Sequence, residues 1–189
     1  TGDFHIENSA AAIACALLEK IPPRTLADVS KHLRAPMGRL EKMDLPTEFF
    51  VYIDYAHSPE ALEKALRSLR PLTEKLTVLF GAGGDRDPMK RPLMGEVTGR
   101  LADVVVVTSD NPRSEDPETI IEDITAGIGR GGAKVIVDSD RKSAIKKALD
   151  AASAGDVVVL AGKGQETYQI LASGKIHFDE REVVAQILS

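Results

Sequence analysis

Apolar and polar positions along this chain follow a helical period up to about residue 34. From Phe49 onward, short apolar runs alternate with amphipathic stretches. The runs Phe49 to Asp54, Leu76 to Phe80, Val104 to Thr108, Lys134 to Asp138 and Asp156 to Ala161 predict strands. The third holds four consecutive valines, as suits a strand buried on both faces. Pro59 to Arg70, Met89 to Leu101, Pro117 to Ile128 and Arg141 to Ala152 predict the helices between them. Strands alternating with helices imply right-handed crossovers and a parallel sheet, so the expected class is α/β with a mostly parallel sheet flanked by helices. The end changes period again. Tyr168 to Leu171 and Lys175 to Phe178, joined at Ala172-Ser173-Gly174, predict a small C-terminal hairpin, and Glu180 to Leu188 a last helix. At the other end, Ser9 to Lys20 predicts a helix stopped by Pro22-Pro23, and Thr25 caps a second one reaching about Leu33. Two short helices without a sheet make a poor domain. Residues 1–34 therefore read as the helical tail of a preceding domain, Ala35-Pro36-Met37-Gly38 as a linker, and residues 35–189 as the domain proper. The start at Thr1-Gly2-Asp3, without methionine or leader, reads as a piece of something longer.

The candidate chemistry sits where strands end. In open α/β sheets the strand-to-helix loops gather on one rim, where helices point free N–H groups at ligands. Four such loops are unusually polar. Thr108-Ser109-Asp110-Asn111-Pro112-Arg113-Ser114-Glu115-Asp116-Pro117 follows the valine run. Asn111 offers a donor and an acceptor, and Arg113 a planar fork that fits a carboxylate. Pro112 stiffens the peptide between them and keeps Asn111 out of the helical region. A plain turn with Asp116 as N-cap accounts for Asp116 and Pro117 but not for Asn111 and Arg113. In Asp54-Tyr55-Ala56-His57-Ser58-Pro59, Ser58 and Pro59 start a helix. Asp54 suits either a ribose hydroxyl pair or the capping of its own turn, and His57 suits a base or phosphate. Gly81-Ala82-Gly83-Gly84-Asp85-Arg86-Asp87, with Lys90 and Arg91 beyond, resembles a phosphate cradle but lacks the ending of a P-loop; a solvated turn with internal ion pairs is the plainer reading. In Gly162-Lys163-Gly164-Gln165-Glu166, Glu166 suits an ammonium group, and Gly162 offers an unobstructed carbonyl. Arg86, Asn111, Arg113 and Glu166 on one rim would recognise a small zwitterion with a second charged end. No nucleophile–base pair or metal spacing accompanies them, so such a site binds and orients.

Composition acts by exclusion. The 189 residues are 28% charged with a net charge of -5 and no basic run, which argues against nucleic acid. No apolar run is long enough to cross a bilayer, so the cytoplasm is the expected location and no membrane partner is expected. The single Cys15, in an alanine-rich stretch, excludes a disulfide framework and is expected to pack as a small hydrophobe.

Asp54-Tyr55-Ala56-His57-Ser58-Pro59, Gly83-Gly84-Asp85-Arg86-Asp87 with Lys90-Arg91-Pro92-Leu93-Met94, Asp110-Asn111-Pro112-Arg113, and Gly162-Lys163-Gly164 with Glu166 together resemble the Mur ligases of peptidoglycan synthesis, most of all the branch that adds the third stem-peptide residue. The resemblance covers nearly the whole chain in order and spacing. It implies a three-domain enzyme whose last, Rossmann-like domain brings in the amino acid, with this chain as that domain preceded by the final helices of the central ATPase domain. It further implies that ATP phosphorylates a glutamate carboxylate of UDP-MurNAc-dipeptide and that the incoming amine attacks the acyl phosphate. Carried onto this sequence, Asp110, Asn111, Pro112 and Arg113 become the meso-diaminopimelate motif, completed by Arg86, Gly162 and Glu166. Asn8 matches the asparagine at the adenine, Arg39 in Gly38-Arg39-Leu40-Glu41 the arginine at the nucleotide phosphates, and Asp54 and His57 the ribose and base side. Relatives that add L-lysine lack the arginine matching Arg113. Two positions depart from the family: Gln165 stands where histidine is common, and His5 where asparagine is usual. The ATP-binding Gly-Lys-Thr/Ser loop, the Mg2+ ligands and modified lysine of the central domain, and the UDP-binding domain do not occur in the chain. The chain alone is therefore expected to be catalytically inactive, with no tightly bound cofactor.

The rival readings are a sister ligase for L-lysine or of folylpolyglutamate type, which the Asp-Asn-Pro-Arg loop disfavours, and a free-standing nucleotide- or amino-acid-binding module, which the orphan Asn8 helix disfavours. A dinucleotide dehydrogenase fails because the loop after Phe80 lacks the Gly-x-Gly-x-x-Gly spacing.

Overall fold

A computed structural model describes residues 3–129 and 132–189. Helices α1 (Asp3–Leu18) and α2 (Pro23–Ser30) come first, and a short edge strand β1 (Glu41–Lys42) follows. The alternating part comprises β2 (Phe50–Asp54), α3 (Pro59–Leu69), a 3-10 turn (Arg70–Leu72), β3 (Leu76–Phe80), α4 (Lys90–Leu101), β4 (Val104–Val107), α5 (Pro117–Gly127), β5 (Lys134–Val137), α6 (Arg141–Asp150) and β6 (Val157–Ala161). The hairpin of β7 (Tyr168–Leu171) and β8 (Gly174–His177) and helix α7 (Glu180–Leu188) close the chain. The α/β class, the parallel sheet and the terminal hairpin are as the sequence predicts.

The sheet order is β1-β2-β6-β3-β4-β5, with only β1 antiparallel. Strand residues alternate between two apolar layers, as the two-residue period of a strand requires. Val78, Phe80, Val105, Val107, Val157 and Val159 pack with Leu62 and Leu66 of α3, Met94 of α4 and Ile120 and Ile124 of α5. Leu79, Val104, Val106, Val158 and Leu160 pack with Ile145 and Leu149 of α6 and Val183 and Val184 of α7. Both faces are covered, which is why these strands read as unbroken apolar runs. Ser58 caps α3 through the Ala61 N–H, and Asp116 caps α5 through the Glu118 N–H.

The N-terminal segment departs from expectation. α1 begins at Asp3, well before Ser9, and ends at Leu18. α2 is entered through Pro22 with Pro23 in its first turn, so Thr25 is not its cap, and it ends at Ser30, whose hydroxyl donates back to the Leu26 carbonyl. Proline's fixed φ suits the first helical turn better than an internal threonine suits a cap. No described residue of either helix is buried, and Cys15 is exposed rather than packed. β1 was not expected. It forms because Glu41 and Lys42 pair with Ile53 and Tyr52, while the Glu41 carboxylate accepts from Gly38 N–H and Arg181.

α4 and α5 meet backbone to backbone. A Cβ on Gly127 would lie 1.9 Å from the Pro92 carbonyl oxygen, and one on Gly95 2.1 Å from that of Ile124. Gly127→Ala is therefore expected to lower stability by about 1–3 kcal/mol through overpacking, although alanine is the better helix former. A urea midpoint equal to or above that of the parent chain would contradict this contact.

Candidate functional site

Because β6 lies between β2 and β3, the loops after Asp54, Ala161, Phe80 and Val107 stand side by side on the carboxyl rim. They enclose a cavity of about 210 Å³. Of the residues expected from the sequence, Arg86, Asp110, Asn111, Arg113, Gly162, Glu166 and His57 line it, and Tyr55, Gly83 and Lys90 complete it. Pro112 does not line it. It is buried behind the loop, where its carbonyl accepts the Glu115 N–H at 3.0 Å.

The loops after β3 and β4 are strapped together. Asp85 and Arg113 both take a left-handed backbone, with φ of 54° each, a conformation that non-glycine residues adopt only when their surroundings hold them there. The holding groups are visible: Arg113 N–H donates to the Ile170 carbonyl at 3.1 Å, Gly84 N–H to that of Asn111 at 2.9 Å, and the Ser114 hydroxyl to the Asp85 carboxylate at 2.6 Å. The Glu115 carboxylate accepts from Asp85 N–H and from Arg91, whose guanidinium is 2% exposed and also donates to Asp123. The Asp85 N–H first, then Arg91, hold the Glu115 carboxyl below its ordinary pKa. Arg91 is thus no partner in a solvated turn but the joint between two loops.

Within the cavity each polar atom is committed in a particular way. Arg113 Nη1 donates to the carbonyls of Gly84 (2.7 Å) and Asn111 (3.3 Å), while its Nε and Nη2 donate to no described residue. Asn111 Oδ1 accepts from Ile170 N–H at 2.9 Å and from Lys163 Nζ at 3.1 Å, so only its Nδ2 side is left to donate, and that nitrogen reaches Glu166 Oε2 at 3.0 Å. Glu166 holds the Tyr168 phenol above its ordinary pKa, and burial adds to this. Gly162 has φ of 111°, and a Cβ there would lie 3.2 Å from Asp110 Oδ2. Lys163 is fully buried, with Nζ 2.9 Å from the Tyr168 carbonyl and 3.1 Å from Asp110 Oδ1. Burial pushes its pKa down, against the opposing pull of Asp110.

Behind the cavity, Arg141 and Glu180 form an ion pair at 2.8 Å, each 1% exposed. Arg141 also donates to the carbonyls of Ser109 and Ala161, at 3.1 and 2.9 Å, tying together the ends of β4 and β6.

The expected nucleotide residues do not form one cluster. Asn8 and Arg39 line an open cleft of about 1170 Å³ between α1 and α2, beside His5, whose Nε2 lies 3.0 Å from the Arg39 carbonyl. His57 is exposed on the amino-acid-sized cavity instead, with its ring edge-on to Tyr55 and the Lys90 ammonium on its carbonyl. The Arg39 guanidinium stacks over the Tyr55 ring, 5.0 Å from its centroid. Asp54 is buried, and each of its oxygens accepts a backbone N–H: Oδ2 from Leu40 at 2.7 Å and Oδ1 from Ala56 at 2.8 Å. Burial nonetheless pushes its carboxyl above its ordinary pKa. The turn-capping alternative describes its contacts, extended by a tie to the residue after Arg39. Among the described residues no three His, Cys, Asp or Glu side chains group as a metal site. No described helix is long and apolar enough to cross a membrane.

Sequence reasoning missed Lys163, Arg91 and Arg141 as site-building groups. A lysine between two glycines and an arginine at a helix start both look solvated. The only available signal for Arg141 was an acid, Glu180, at the start of a distant helix.

A family profile described as Mur ligase, glutamate ligase domain, matches residues 38–164. A Vibrio vulnificus protein named UDP-N-acetylmuramoyl-L-alanyl-D-glutamate–2,6-diaminopimelate ligase is 47% identical over 99% of this chain, and one of the same name from Aquifex aeolicus is 48% identical over 99%. A solved structure bearing that enzyme's name superimposes with a TM-score of 0.78 at 39% identity, covering 99% of this chain and 38% of that one. The chain spans 38% of the length of each of these relatives. With two thirds of its residues matched by the profile, the chain belongs to the Mur ligase family and carries its glutamate ligase domain.

Proposed function

We propose that this chain is the C-terminal, amino-acid-binding part of a cytoplasmic, ATP-dependent ligase that joins meso-diaminopimelate to UDP-MurNAc-L-Ala-D-Glu during peptidoglycan synthesis. The observation that carries this reading is the Arg113 guanidinium, held in the cavity by two carbonyls with Nε and Nη2 left over, in the same lining as the Glu166 carboxylate. A guanidinium edge clasps a carboxylate and an acid holds an ammonium, so the cavity suits an amino acid with charged groups at both ends. Arg86 at the mouth serves a second carboxylate contact, Asn111 Nδ2 donates to a substrate oxygen, and Gly162 lets the backbone come close. L-Lysine would leave the Arg113 edge unpaired. The names of the relatives support the same substrate.

In the reaction, ATP transfers its terminal phosphoryl group to the glutamate carboxylate, forming an acyl phosphate. The free amine of diaminopimelate then attacks the acyl carbon, the new C–N bond forms, and phosphate leaves with the C–O bond electrons. The work of this chain is positioning: fixing the amine's approach within the cavity. Residues 1–34 fit as the end of the preceding ATPase domain. Ile6, Leu18 and Val29, which are 70%, 82% and 54% exposed, form the kind of apolar surface that another domain covers. On the nucleotide side Asn8 faces the adenine, Arg39 the phosphates, and Asp54 and His57 the ribose and base side, with Asp54 also tied through the Leu40 N–H to the residue after Arg39.

Three outcomes follow for ligation measured in steady state on the longer protein that carries this chain, and for the chain alone. Arg113→Ala is expected to cost about 1.5–3 kcal/mol of binding, raising KM for diaminopimelate roughly 10- to 150-fold with KM for ATP unchanged. An enzyme that accepts L-lysine as well as diaminopimelate would sink the substrate assignment. Asp54→Ala is expected to act on the other substrate, raising KM for ATP about tenfold by releasing Leu40 and Arg39; a change confined to KM for diaminopimelate would contradict that role. The 189-residue chain by itself is expected to show no ATP-dependent ligation, and measurable product would overturn the division of labour.

A further inference from the structure

Resting on the substrate reading above, we propose that Lys163 is a positioning residue for the amino acid: its buried ammonium fixes which way the Asn111 amide faces and holds Asp110 and Glu166 beside each other. Lys163 is fully buried, so it acts through its neighbours. Its Nζ meets Asn111 Oδ1 and Asp110 Oδ1, each at 3.1 Å, Glu166 Oε2 at 3.6 Å and the Tyr168 carbonyl at 2.9 Å. Those contacts span the loop after β4, the loop after β6 and the hairpin, the three segments that carry the cavity's carboxylates and amide.

Two consequences follow from elementary electrostatics. A lysine ammonium only donates, so the amide atom facing it must be oxygen. Together with the Ile170 N–H, which donates to the same Oδ1, this turns Asn111 Nδ2 toward Glu166 and the cavity. Reversed, the amide would present its oxygen to the Glu166 carboxylate and repel it. Second, Asp110 and Glu166 are like charges brought onto one ammonium, and without it their mutual repulsion in a poorly hydrated site would push them apart. The charged groups facing Lys163 are Asp110, Arg141 and Glu166; beyond Glu166 stand Tyr168, Tyr55 and Arg113. Arg141 opposes Lys163, and Asp110 and Glu166 together outweigh it. Burial of the ammonium lowers its pKa, which marks a group kept in place against its own solvation.

Lys163→Met keeps the length of the side chain and removes the charge. The first readout needs no substrate. In the present chain, Lys163→Met is expected to shift the Asn111 side-chain amide resonances and to speed exchange of the Ile170 N–H at least about tenfold, because Asn111 Oδ1 loses one of its two donors and its hold on Ile170 N–H loosens. Unchanged resonances and exchange would overturn the proposal. The second readout is kinetic, on the longer protein. KM for diaminopimelate should rise at least about tenfold, with KM for ATP and kcat at saturating diaminopimelate within about threefold of the parent. Asn111→Ala should add less in the Lys163→Met background than in the parent, since both act on one interaction. Equal losses in every kinetic parameter, or full additivity, would overturn it. If the methionine variant fails to fold by its thermal melt, Lys163→Gln, which keeps a donor for Asn111 but no charge between Asp110 and Glu166, is read instead: KM for diaminopimelate should still rise, and a KM at the parent's value would overturn the proposal. A parent enzyme that ignores diaminopimelate would defeat the substrate reading alone, because the substrate-free readout still decides the role of Lys163.

Discussion

The site depends on one topological constraint: the last parallel strand, β6, is inserted between β2 and β3. Its register sets Ala161 against Asp54 on one side and Leu160 against Leu79 on the other. The loop beginning at Gly162 is thereby delivered between the loop that holds His57 and the loop that holds Arg86. β4, on the far side of β3, brings Asn111 and Arg113 to the same rim. The insertion is stable because Val157 to Ala161 is apolar on both faces and is covered by α3, α4 and α5 on one side and by α6 and α7 on the other. Hydrophobic burial fixes the sheet, and the sheet fixes where charges can meet.

At that rim the protein keeps charges that burial opposes. Arg141 with Glu180, Arg91 with Glu115 and Asp123, and Lys163 with Asp110 and Glu166 all place a nearly inaccessible cation against acids. Buried pairs of this kind contribute little net stability compared with apolar packing of the same volume. Their effect here is geometric. Arg141 ties the ends of β4 and β6, Arg91 ties the loops after β3 and β4, and Lys163 ties the loops after β4 and β6 to the hairpin. Each tie joins segments that carry the side chains of the cavity, which is what a site needs if it must hold a small, flexible, doubly charged molecule in one pose.

Much of this was legible in the sequence, and the parts that were not share a cause. The strand ends at Asp54, Phe80 and Ala161 could be read from apolar runs, because a strand buried on both faces leaves little ambiguity about where polarity resumes. The residues Arg86, Asn111, Arg113 and Glu166 followed, since a polar side chain just past the carboxyl end of a buried parallel strand stands on the rim where ligands bind. What could not be read was long-range pairing. Nothing local reveals that the Asp54 carboxylate also accepts the N–H of Leu40, fourteen residues earlier. Lys163, Arg91 and Arg141 looked solvated because their acids lie elsewhere in the chain. Cys15 looked like core because helical periodicity implies a covered face, and here no described part of the chain covers it. Thr25 looked like a cap, but proline geometry sets the helix start at Pro23.

The central claim is that the cavity on this domain is built for an amino acid with a carboxylate at its far end. The measurement that tests it most directly is a calorimetric titration of the chain with meso-diaminopimelate and, separately, with L-lysine. The account predicts saturable binding of diaminopimelate and at least about tenfold weaker binding of lysine, as loss of one charge-assisted contact requires. Equal or tighter binding of lysine would contradict it.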